Sequence, residues 1–150
     1  MPSVVGMNNT ALSSLTLTNT FVFVDDPDKA LTFYRDVLGL TVNTDVSNDG
    51  FRWLTLTTPN QPELEITHQQ PDGMPYSDED KRAIAEMTAK GLLSALIFKV
   101  DDVDAVFEHV RASGAEVLQE PADQFYGVRD CAFRDPAGNM VRINQTLQQG

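Results

Sequence analysis

The sequence predicts an α+β fold built from two βαβββ modules in tandem, and three observations carry that reading. The first is a repeat. Phe21 to Leu40 reads FVFVDDPDKALTFYRDVLGL: an apolar run of β-formers, an Asp-Asp-Pro break, apolar residues at helical spacing and a glycine stop. A reduced copy runs from Leu96 to Gly114, with Asp101-Asp102 as the break and Val103, Val106, Phe107 and Val110 on one helix face. The second is a constant offset. Pro59 and Pro136 are separated by the same interval as Glu65 and Arg142 in the apolar strands that follow them. The interval from Asp25 to Asp101 is shorter by one position, so one small gap aligns the modules. The third is alternation. Val22, Val24, Leu54, Leu56, Leu64 and Ile66, then Leu96, Phe98, Val100, Val141 and Ile143, are the apolar members of strands whose other members are aromatic or polar.

The elements follow in order. Residues 1–14 are small and polar and read as a tail. Module one covers 15–68: a strand over Leu15–Val24, a helix over Pro27–Leu38, a short strand over Thr41–Asp45, a Ser47-Asn48-Asp49-Gly50 hairpin turn, a strand over Phe51–Thr58, a Pro59–Pro62 turn and a strand over Glu63–Thr67. Asp26 before Pro27 suits a helix entry, since a carboxylate caps free N–H groups and proline fits the first turn. Residues 69–91 form a linker with a connecting helix over Ser77–Lys90, stopped by Gly91. Module two covers 92–145: a strand over Leu92–Val100, a helix over Val103–Ala112, a strand over Ala115–Leu118, a loop over Glu120–Tyr126, and strands over Val128–Arg134 and Met140–Asn144 joined by Asp135-Pro136-Ala137-Gly138-Asn139. Residues 146–150 are a polar tail. Half-size modules bury too little alone, so they must share a core or pair with another chain.

With 22 acidic and 11 basic residues in 150, the formal charge is −11, which argues against nucleic acid or an anionic membrane as partner. No apolar run reaches the roughly 20 residues of a membrane span. The N-terminal stretch lacks a charged start and a long apolar run, and Cys131 is the lone cysteine, so a reducing cytoplasm is expected.

A curled sheet over its helix leaves its other face as the inside of a cleft. That face carries Asn19, Phe21, Phe23, Phe51, Trp53, Thr55, Glu65, Thr67, Ala95, Ile97, Asp130, Ala132, Met140 and Arg142, a mixture of aromatic and polar groups suited to a small molecule. Tyr126, in the loop before the seventh strand, and Arg129, at the start of that strand, are further ligand-contact candidates. His68 points to the opposite face from Glu65; His109 reads as surface, Cys131 as an inert helix-facing residue, and Asp25, Asp26, Asp101 and Asp102 as helix caps.

The modules, with DPDKALTFYRDVLGL and FRDPAGNMVRI, resemble the vicinal oxygen chelate superfamily, which includes glyoxalase I, bleomycin resistance proteins, fosfomycin resistance enzymes and extradiol dioxygenases. The resemblance spans about Leu15 to Asn144. It implies a divalent metal held on the first and fourth strands of each module, at the positions of Asn19, Glu65, Ala95 and Arg142. Glu65 alone is a good ligand; Ala95 has no donor and Arg142 is a cation, so no metal or other cofactor is expected. The expected function is metal-independent binding of a small organic molecule such as an antibiotic or metabolite, with Asn19, Phe21, Phe51, Trp53, Glu65, Tyr126, Arg129 and Arg142 as ligand-binding residues and a homodimer as the assembly. One alternative is a glyoxalase-type lyase, isomerase or dioxygenase with an atypical metal set or with Glu65 as catalytic base; another is a regulatory module with a vestigial pocket. Glu65 and Arg142, at equivalent positions, are expected either to pair or to contact ligand directly.

Overall fold

The computed structural model describes residues 10–148; residues 1–9 and 149–150, parts of the expected tails, lie outside the described residues. Module one comprises β1 (Asn19–Phe23), α1 (Pro27–Leu31, continued by a π-helical turn over Thr32–Val37), β2 (Thr41–Asn48), β3 (Phe51–Thr58) and β4 (Gln61–Gln69). A connecting helix, α2 (Asp78–Ala89), leads to β5 (Ala95–Lys99), α3 (Val103–Ala112), β6 (Val117–Asp123), β7 (Val128–Arg134) and β8 (Met140–Thr146). The strands form two four-stranded sheets, ordered β1-β4-β3-β2 and β5-β8-β7-β6, with β1/β4 and β5/β8 parallel and the other pairs antiparallel.

Both helices start on the second of the two aspartates expected as caps, Asp26 and Asp102, while Asp25 and Asp101 do not cap them. The Asp26 side chain accepts from the Asp28 and Lys29 amides with Pro27 in the first turn, and the Asp102 side chain accepts from the Ala105 amide. In each module an arginine braces strand to helix. Arg52 pairs with Asp45 and with Asp28 on α1; Arg129 pairs with Asp123 and with Asp104 on α3. The braces are repeats of one another. Arg129 follows Arg52 at the interval that separates Pro59 from Pro136, and Asp104 follows Asp28 at the interval that separates Asp25 from Asp101.

Several expected boundaries move. Residues 15–18 fall outside β1, and Leu15 and Leu17 are exposed, because β4 meets β1 only from Glu65 onward. Strand β2 runs on to Asn48, β8 to Thr146, and β4 takes in Pro62 from the expected turn. Strand β6 runs to Asp123 through Pro121, which an edge strand tolerates because one row of its N–H groups has no partner to lose.

The pairing register also corrects the sequence alignment. Leu54 faces His68 and Asn19 lies beside Glu65, whereas Cys131 faces Ile143 and Ala95 lies beside Met140. The interval from His68 to Ile143 is therefore shorter, by two positions, than that from Leu54 to Cys131. The chain between the partners Leu56 and Ile66 is longer by the same two positions than the chain between Phe133 and Val141, so the excess lies in the first hairpin. In space Glu65 is matched by Met140, and Arg142 by Thr67.

The buried side chains of both modules form one continuous core, including Val22, Tyr34, Leu54 and Leu56 from the first and Val103, Phe107, Phe133 and Ile143 from the second. The modules share a core rather than each closing its own. Their junction is polar and buried. The Tyr34 hydroxyl donates to Asp135 Oδ2 at 2.6 Å, Asp135 Oδ1 accepts from the Ala137, Gly138 and Asn139 amides, and the Asn139 side chain donates to Asp135 Oδ2 and to the Phe23 carbonyl. Burial, then the Asp135 carboxylate, raises the Tyr34 pKa, so the phenol stays a donor. Gly138 lets this turn touch the connecting helix: a Cβ there would lie 2.5 Å from the Thr88 carbonyl oxygen. His109, expected as plain surface, donates through Nε2 to the Val37 carbonyl and ties α3 to the end of the first helix.

His68 occupies the core position that Ile143 fills in the second module. It is 2% exposed, neither ring nitrogen has a partner, and its ring packs edge-on against Tyr34. Burial lowers its pKa from 6.5 to about 4. The unfolded chain thus binds the extra proton between those values, so the neutral imidazole's contribution is complete above pH 6.5 and is lost as pH falls toward 4. We predict that acidification across this window costs about 3 kcal/mol more in the native protein than in a His68→Leu variant, read by denaturant unfolding at each pH. Equal pH slopes in the two proteins would refute this.

Candidate functional site

Because the helix side of each sheet lies in the shared core, the other faces turn away from it. The chain therefore presents two separate concave faces rather than one enclosed cleft. Strands β1 and β5 are sheet edges, and the two sheets do not join through them.

The centre of the first face is Glu65. Its Oε2 accepts from Asn19 Nδ2 at 2.8 Å; its Oε1 accepts from Thr55 Oγ1 at 3.0 Å and from Asn43 Nδ2. Hydrogen bonds from Asn19, Asn43 and Thr55, in that order, hold the carboxyl below the usual carboxylate range, so it is ionised at neutral pH. Phe51 and Trp53 stack on the same face, with ring centres 6.4 Å apart. Trp53 is the next residue on that face from Thr55, about 6.6 Å along the strand. Phe21 sits on the β1 edge, 48% exposed. Thr67 is buried in the floor, its hydroxyl without a partner.

The second face is built differently. Arg142 Nη1 donates to Asp130 Oδ2 and to Gln119 Oε1, both at 3.0 Å. Asp130, 1% exposed, also accepts from Gln119, Gln124 and the Tyr126 hydroxyl. Burial opposes its ionisation, but the bonds from Gln119, Gln124 and Arg142 outweigh it and keep the carboxyl below its ordinary range.

The expected Glu65–Arg142 pair does not form within the chain. Each centre is satisfied inside its own module, Glu65 by Asn19, Asn43 and Thr55 and Arg142 by Asp130 and Gln119. Arg129, a ligand-contact candidate from sequence, is turned to the helix side and held by Asp104 and Asp123. Tyr126 does reach the second centre, beside Phe125, which is 98% exposed. Asn43, Gln119 and Gln124 belong to the two centres although the sequence does not single them out, and Asp130, placed on the cleft face by alternation, is not among the expected ligand contacts. Asp130 carries a signal: it is the repeat counterpart of Trp53, an acid in place of an aromatic on an apolar strand.

The residues at the metal positions do not fit a metal. The side-chain amides of Asn19 and Asn43 turn N–H groups toward Glu65, Ala95 has no donor, Met140, which lies beside Ala95 as Glu65 lies beside Asn19, offers only a thioether, and Arg142 is a cation committed to Asp130. Among the described residues no group of three or more His, Cys, Asp and Glu side chains is placed to hold an ion. A cavity of about 120 Å³ lies away from both faces, under α2, lined by Phe23, Pro71, Lys81, Ala85, Thr88 and Ala137 among others. It opens at the module junction and shares no residue with either centre.

The sequence pattern of the Glyoxalase/Bleomycin resistance protein/Dioxygenase superfamily matches residues 16–143, and the chain belongs to this superfamily. The crystal structure of UcmS2 superposes with a TM-score of 0.79 at 29% identity, covering 87% of this chain and 97% of that one. TnmS3, an antibiotic binding protein from Streptomyces sp. CB03234, superposes with a TM-score of 0.67 at 25% identity, covering 88% and 96%. A probable lactoylglutathione lyase of Vibrio cholerae is 26% identical over 147 residues, covering 91% of this chain and 95% of that protein. No helix among the described residues is long and apolar enough to cross a membrane.

The second centre yields a direct test. Arg142→Ala leaves Asp130 buried without its cation and should cost about 3 kcal/mol, the low end for a broken buried pair because Arg142 remains a quarter exposed. Asp130→Asn should cost less, and a double-mutant cycle should show coupling of about 1–3 kcal/mol in urea unfolding. Additive effects would separate the two residues.

Proposed function

We propose that the chain is a metal-independent, cytoplasmic small-molecule-binding protein that works as a homodimer, holding an aromatic organic ligand such as an antibiotic or metabolite against Phe51 and Trp53. The carrying observation is the surroundings of Glu65, the one good metal donor: Asn19 and Asn43 turn neutral N–H groups toward it, Ala95 and Met140 in the second module supply no carboxylate or imidazole, and Arg142 is a cation already paired. The likeness to an antibiotic binding protein supports the ligand class. Two open concave faces and two unpaired sheet edges support assembly of the cleft from two copies.

A lyase reading draws on the likeness to a probable lactoylglutathione lyase. Glu65 is poorly suited to the base that reading needs. A general base works best with a pKa near the working pH, and three hydrogen bonds move this carboxyl the other way.

Treatment with EDTA should leave the melting temperature unchanged, and planar aromatic antibiotics should quench Trp53, the single tryptophan, to saturation. A melting temperature that falls by several degrees on chelation and returns with one divalent ion, together with metal-dependent turnover of lactoylglutathione, would replace this function with the lyase.

A further inference from the structure

We propose that Glu65 of one chain and Arg142 of the partner subunit form an ion pair across the dimer, closing the centre of the ligand cleft. The inference rests on the homodimer of the preceding reading and adds what joins its two halves.

Three observations converge on it. The first is an uncompensated charge. Glu65 is oriented by Asn19, Asn43 and Thr55, all neutral, and no Lys or Arg among the described residues lies within ion-pair distance of it. The single Lys or Arg on the four strands of its module is Arg52, which is turned to the helix side and held by Asp28 and Asp45. The second is an unused donor. Arg142 spends Nη1 on Asp130 and Gln119, while Nη2 has no oxygen acceptor among the described residues and lies 3.8 Å from Met140 Sδ. A guanidinium presents several N–H groups in a rigid fork, so one arm can hold Asp130 while the other takes a second carboxylate.

The third is the shape of the two open edges. Exposed apolar side chains flank Asn19 at Leu17 and Phe21, and flank Ala95 at Leu93 and Ile97. Leu93 and Ile97 follow Leu17 and Phe21 at the same interval at which Ala95 follows Asn19. A two-fold axis that covers these four residues sets β1 of one chain against β5 of the other, with Asn19 opposite Ala95. Glu65 lies one strand in from Asn19 and Met140 one strand in from Ala95, so the two stand three strand spacings apart, about 14 Å along the joined sheet, and a curl of that sheet over the cleft turns Glu65 toward Met140 of the partner subunit. That is the residue over which the free arm of Arg142 leans. Charge complementarity, matched edges and a donor already aimed at the right position identify a second copy of this chain as the occupant. By symmetry the pair forms twice per dimer.

The test is dimer affinity, measured by sedimentation equilibrium of the full chain. Glu65→Gln keeps the shape, its carbonyl oxygen can still accept from Asn43 and Thr55, and its amide can donate to a flipped Asn19 side chain; it should raise the dimer dissociation constant at least about tenfold, because the guanidinium arm loses its counter-charge. The dissociation constant of the native protein should rise with ionic strength, and that dependence should shrink in the variant. A charge exchange sharpens the result. Glu65→Arg, and Asp130→Asn combined with Arg142→Glu, should each be monomeric alone, and an equimolar mixture should form a heterodimer with both pairs restored, one in the native sense and one reversed. A native protein that dimerises with Glu65→Gln unchanged, or a mixture that stays monomeric while both variants are folded by circular dichroism, overturns the ion pair alone. A native protein that is monomeric overturns the ion pair together with the dimeric half of the proposed function, leaving ligand binding to be judged by Trp53.

Discussion

A buried carboxylate at the module junction sets the geometry of everything else. Asp135 collects five hydrogen bonds, from the Tyr34 hydroxyl, the Asn139 side chain and three backbone amides, while Asn139 bonds back to the carbonyl of Phe23 on β1. A buried group with this many partners is fixed in position, because losing any one of them leaves a desolvated polar atom behind. The junction locks the helix sides of the two sheets into one core. Their concave faces must then point apart, and the edges β1 and β5 must remain open. Each chain therefore presents two separate polar centres, one on each sheet.

The duplication has kept its mechanical parts and diverged in its floors. The Asp helix caps recur, and in both modules an arginine brace holds one aspartate on the helix and one on the neighbouring edge strand. The concave floors do not. Where the first module has Trp53 and Thr67, the second has Asp130 and Arg142, so one face is aromatic with an oriented anion and the other is a satisfied polar network. The proposed ligand, with a flat apolar body and polar edges, would lie on the face that carries Phe51, Trp53 and the oriented Glu65 carboxylate.

Much of this is legible in the sequence because strand alternation and helical spacing are local. Alternation marks Val22, Val24, Leu54, Leu56, Val141 and Ile143 as helix-facing, and all are buried. The caps at Asp26 and Asp102 follow from chemistry within one helical turn. The register of β4 and β8 is not legible. Pro59 and Pro136 align in sequence, but hairpin length is set by how the turn closes, and the longer first hairpin shifts the spatial counterpart of Glu65 from Arg142 to Met140. The partner of Arg142 is hidden for a related reason: Asp130 lies on the neighbouring strand, and cross-strand pairing depends on that same register. Arg129 reads from sequence as a ligand-facing residue at the mouth of a loop, yet β7 already includes it and the strand's alternation puts it on the helix side.

The most direct measurement is chemical cross-linking of a chain carrying Asn19→Cys and Ala95→Cys, with Cys131 buried and slow to react. If the half-sites face apart within a chain and close across two copies, a short bis-maleimide joins two chains and a denaturing gel shows a covalent dimer that Asn19→Cys or Ala95→Cys alone does not give. An efficient cross-link within one chain, or none between chains at concentrations where the protein is associated, would contradict that arrangement.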